Sequence, residues 1–95
     1  MNMEDKNLVM YSIRKSEKNT GYTIITLISK DKVANDYFEG YNEETYFYGK
    51  ELFEKIKGKS YIGKDVTLKY HIESRGTAMR KVADEIIIDG KNILA

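Results

Sequence analysis

Tyr46, Phe47 and Tyr48 stand side by side, and Gly49 and Lys50 follow them. The chain has eight tyrosines, three phenylalanines and no tryptophan. Rings exposed on a sheet stack with the bases of single-stranded nucleic acids, while lysines and arginines beside them track the phosphates. Neighbouring residues on a strand point to opposite faces, so at least one ring of this run leaves the core side. Tyr46 and Tyr48, with Tyr22, are the rings expected to stack. Two basic clusters are expected to flank them: Arg14, Lys15 and Lys18 at one turn, and Arg75, Arg80 and Lys81 at another. The plainer reading is that tyrosines cover the strands of small β-domains and that hairpin tips are charged because they are solvated.

Catalytic chemistry has little to stand on. There is no cysteine, and His71 is the sole histidine. On a strand His71 shares the outward face with Lys69 and Glu73, and two ligands do not make a metal site. No catalytic residue, metal or cofactor is expected. GKSYIGK, residues 58–64, has the spacing of a phosphate-binding loop, but Asp65 replaces the required Ser or Thr. A helix precedes it and a strand follows, the reverse of the order that aims a helix N-terminus at phosphate. The segment reads as a turn.

The elements that position these residues alternate at period two. Residues 8–15 and 22–29 read as strands joined by the turn SEKNTG. Residues 30–44 show no clean period and read as a long acidic and aromatic loop. Thr45 to Tyr48 form a short third strand. Lys50 to Lys57 suit a helix, with Leu52, Phe53 and Ile56 on one face, Glu51 and Lys55 paired, and Gly58 at its end. Asp65 to Ser74 alternate, with Val66, Leu68, Tyr70 and Ile72 inward. Arg80 to Asp89 make the fifth strand. The order β-β-β-α-β-β predicts an all-β fold with one short helix, a five-stranded OB-fold barrel, over an α+β sheet with the helix on one face. OB barrels mainly hold oligonucleotides and oligosaccharides.

Ninety-five residues fit one domain. Residues 1–6 are expected to be a flexible tail, and 7–95 a single OB-like domain. The N-terminus shows no signal peptide and no apolar run spans a bilayer. Without cysteine, a reducing cytoplasm is the expected compartment. Net charge is only +1, but it is unevenly placed: residues 31–44 carry five acidic and one basic side chain. That distribution argues against a protein that coats duplex DNA with charge.

YFYGKELFEKI, IGKDVTLKYHIES and KVADEIIIDGKNIL together resemble the second half of bacterial and phage single-stranded DNA-binding proteins. The match covers residues 45–94, and 8–29 in outline. The resemblance implies an OB fold, binding of single-stranded DNA with little sequence preference, no cofactor, and a homodimer or homotetramer. It carries over Tyr48, Gly49 and Lys50 as the aromatic-Gly-Lys element, Tyr46 as a neighbouring stacker, and Lys69 and His71 on strand four. The family's stacking tryptophans and its acidic-hydrophobic C-terminal tip are absent here, so a minimal phage or mobile-element type is expected. RNA is a second candidate ligand. A protein-interaction module or inhibitor using the 30–44 loop is the alternative function, because that loop pairs acidic groups with rings.

Overall fold

A computed structural model describes residues 3–17 and 22–94, except for the side chain of Arg75. Strands β1 (Met3–Lys15), β2 (Thr23–Ala34) and β3 (Glu39–Tyr48) form an antiparallel meander. The one-turn helix α1 (Phe53–Ile56) leads to β4 (Asp65–Arg75) and β5 (Ala78–Ile88), and a two-residue strand β6 (Lys91–Asn92) folds back on β5. The sheet order is β3-β2-β1-β4-β5, and β3 meets β5 in parallel at Phe47 and Val82. That contact closes five strands into an OB-fold barrel with the helix between β3 and β4. Among the described residues no helix is long and apolar enough to cross a membrane.

The core follows from alternation. Leu8, Met10, Ile25, Leu27, Val66, Leu68, Tyr70, Ala83, Ile86 and Ile88 point into the barrel, and Leu52 and Ile56 plug one end. Thr23 fixes that plug. Its buried hydroxyl accepts from the Leu52 amide at 3.0 Å and donates to the Lys50 carbonyl at 3.0 Å. Two backbone groups at the helix start thus find partners that the short helix cannot supply itself. The helix is shorter than the Lys50–Lys57 span the sequence suggests, and Gly58 follows it at φ +77°. Glu54, rather than Glu51, takes the ion pairs, with Lys15 and Lys57.

Three other expectations are corrected. Residues 3–6 are not a tail: Met3, Glu4 and Asp5 pair with Tyr70, Lys69 and Leu68 of β4. Asp5 is held there because it accepts the hydrogen bond of the Tyr46 hydroxyl, which burial would otherwise leave unsatisfied. Residues 30–44 are not a loop. β2 and β3 continue as a hairpin past the barrel, pairing Lys32 with Tyr41 and Ala34 with Glu39. The hairpin buries neither face, so it carries no apolar period to read. Ile72 is 42% exposed, because β4 outruns the barrel after an irregularity between Lys69 and Tyr70. The GKSYIGK segment is the expected turn, with the Gly63 amide donating to the Met10 carbonyl at 2.8 Å.

Candidate nucleic-acid interface

Pairing register sets a continuous row around the barrel. Arg14 pairs with Ile24, Ile24 with Phe47, Phe47 with Val82, and Val82 with His71. Paired residues share a face. Tyr46, next to Phe47, is fully buried, so Phe47 and its row point outward. Arg80, two residues before Val82, shares that face, and its guanidinium lies over the Phe47 ring at 4.9 Å from the centroid. A stacked guanidinium on an aromatic face is an attractive cation–π pair.

An open cleft of about 450 Å³ lies along this row, lined by Arg14, Tyr22, Ile24, Phe47 and Arg80 among others. A second hollow of about 230 Å³ continues it, sharing Tyr22, Phe47 and Arg80 and adding Glu73 and Val82. The result is one groove across β2, β3 and β5, beside the β1–β2 connection. Its floor is the Phe47 ring with Ile24 and Val82, and its cations are Arg14, Lys15 and Arg80. Glu17 and Glu73 also reach its walls.

His71 bridges Glu73 and Asp84. The imidazole Nε2 lies 2.7 Å from Glu73 and Nδ1 lies 2.8 Å from Asp84. Both carboxylates favour the imidazolium, Glu73 most strongly, and raise the pKa of His71 above its usual 6.5. His71 thus joins two acidic groups at the groove's edge, in surroundings that favour its protonated form. Among the described residues no group of three side chains is arranged to hold a metal ion.

The expected site residues separate clearly. Arg14, Tyr22 and Arg80 meet in the groove. Lys15 lines it but is drawn toward the helix by Glu54 at 2.5 Å, which raises the lysine's pKa. Lys50 is exposed beside Gly49, which borders the second hollow. Lys69 pairs with Glu85 at 3.6 Å. Lys18 and the side chain of Arg75 lie outside the described residues.

Tyr46 is fully buried and cannot stack on a base, and Tyr48 is half-buried. Tyr46 packs edge-on against Tyr70 at 5.3 Å, and Tyr48 packs on the same core. Burial and the Asp5 carboxylate raise the Tyr46 pKa, keeping its proton on. Lys81 is not a groove cation either. One residue out of phase with Arg80, it spans the rings of Tyr46 and Tyr70 at 5.3 Å and pairs with Glu44 at 2.8 Å.

Phe47, Ile24 and Val82 are the groove residues that sequence reasoning missed. TYFY alone leaves two phases open, and pairing with β2 and β5 puts the tyrosines inside and Phe47 outside. No protein-family model matches the chain, and no curated protein sequence matches it.

Proposed function

We propose that this chain binds single-stranded DNA with little sequence preference, laying the strand along the groove centred on Phe47. The observation that carries this reading is the Phe47 ring beneath Arg80, with Tyr22 and Arg14 in the same cleft. In this reading Arg80 turns from the ring to a phosphate and leaves the ring face to any base, and Arg14 meets a neighbouring phosphate. The groove crosses the face that OB folds use for oligonucleotides. The sequence resemblance to single-stranded DNA-binding proteins supports the same class. In this reading the protein is a binding module and not an enzyme, needs no cofactor, and serves DNA replication or recombination in the cytoplasm.

The test is a titration of fluorescent oligo-dT and oligo-U at two salt concentrations. Binding to oligo-dT that weakens as salt rises supports the proposal. Tighter binding to oligo-U would reassign the ligand to RNA, and no binding to either at low salt would refute it. A protein-interaction role is favoured by a separate observation, the exposed rings of the β2–β3 hairpin tip.

A further inference from the structure

The tip of the β2–β3 hairpin presents Tyr37 at 98% exposure, with Asp36 before it and Phe38 and Glu39 after. This display is ordered by the chain itself. The Asn35 side-chain oxygen accepts from the amides of Tyr37 at 2.8 Å and Phe38 at 3.0 Å, and the Asn35 amide donates to the Phe38 carbonyl at 2.8 Å. Phe38 folds back over Gly40, where an added Cβ would lie 3.4 Å from the ring. Tyr37 is thereby pushed outward, and nothing in the barrel requires it there.

The tip and the groove are chemically complementary. The tip offers a carboxylate next to a flat ring, much as a nucleotide offers a phosphate next to a base. Glu39 is engaged with Lys32 at 3.8 Å, whereas Asp36 has no ion pair among the described residues. The groove offers Arg14 and Arg80 around Phe47 and Tyr22. A molecule cannot dock its own tip in its own groove. The groove lies at the first residues of β2 and the tip follows its last, on the order of 35 Å away at a strand's rise.

We propose that the acidic-aromatic tip of one copy docks in the groove of a second copy. The contact joins two different surfaces, so it builds either a reciprocal two-fold dimer, each tip in the other copy's groove, or head-to-tail chains and rings. The inference rests on the groove's preference for an anion beside a ring, the same preference that underlies the proposed DNA binding. Docked tips and bound DNA then exclude each other, so single strands dissolve the self-association.

The experiment is sedimentation velocity without DNA at low salt, over protein concentrations up to about 500 μM, since so small a contact is weak. Two full-length variants are compared: a tip variant, Asp36→Lys with Tyr37→Ala, and a groove variant, Arg14→Glu with Arg80→Glu. All four sites are surface positions, and circular dichroism checks their folding. The expected result is concentration-dependent association of the wild type and monomers for each variant alone. A mixture of the two variants is expected to stop at a 1:1 heterodimer, because only one intact tip and one intact groove remain. A wild type that stays monomeric overturns the proposal. So does association that survives both variants, which would place the contact elsewhere, for example at the exposed Tyr11 and Tyr41. A mixture that yields no heterodimer overturns it too. Oligo-dT binding by the tip variant is read separately, so loss of DNA binding and loss of self-association are distinguishable.

Discussion

Phe47 and Arg80 form the smallest unit on which the proposed activity depends. Stacking of one base on an aromatic ring is worth about 1–3 kcal/mol, so Phe47→Ala is expected to weaken oligo-dT binding roughly 5- to 150-fold. Tyr46→Phe provides the contrast. Its ring stays in the core, and only the hydrogen bond to Asp5 is lost. It is expected to cost about 1–2 kcal/mol in chemical denaturation and to leave binding unchanged. His71 sets a pH dependence. Its folded pKa is raised above the usual 6.5 by Glu73 and then Asp84. The stabilisation it gives is therefore full below the ordinary histidine pKa and fades as pH rises through the raised value. Above that value the imidazolium beside Glu73, in the wall of the groove, is lost. Both melting temperature and DNA affinity are expected to fall between slightly acidic and alkaline pH. The lone imidazole can be followed by NMR, and a midpoint at or below the ordinary value would contradict this account.

Among the elements, the helix start is the point most sensitive to a single atom. Thr23→Val keeps the shape but strands the Leu52 amide and the Lys50 carbonyl. A loss of about 1–3 kcal/mol in urea denaturation is expected, mostly from the buried Leu52 amide. The same elements show what could be read from sequence. The strands from Asp65 and into Asp89 were legible because each buries one face, and Val66, Leu68, Ile86 and Ile88 keep period two. The meander and the intervening helix gave the barrel. The β2–β3 extension was illegible because both its faces meet solvent, leaving no apolar alternation. The N-terminal pairing was illegible for another reason. Glu4, Asp5 and Lys6 look like solvated tail residues, and only the buried Tyr46 hydroxyl explains why Asp5 is held in place. For the groove, Arg14, Tyr22 and Arg80 were found by type and position. Phe47 was missed because the phase of TYFY depends on β2 and β5, which a local reading does not weigh.

At the scale of the molecule, one seam turns a sheet into a barrel and makes the groove. Phe47 of β3 meets Val82 of β5 there. The same contact brings Arg80 over the ring and sets Glu73 and His71 beside it. Basic and aromatic chemistry thus gathers at one end of β2, and acidic and aromatic chemistry at the other. This polarity, rather than the near-zero net charge, is the electrostatic character of the chain. The central claim is that the Phe47 groove holds a single strand. It is tested most directly by the salt dependence of oligo-dT affinity for the wild type and Arg80→Ala. Wild-type affinity is expected to fall steeply with salt. Arg80→Ala is expected to weaken binding and to lower the log–log slope by about 0.7, the loss of one phosphate contact on a single strand. Wild-type binding that is absent at low salt, or a slope and affinity unchanged by Arg80→Ala, would contradict it.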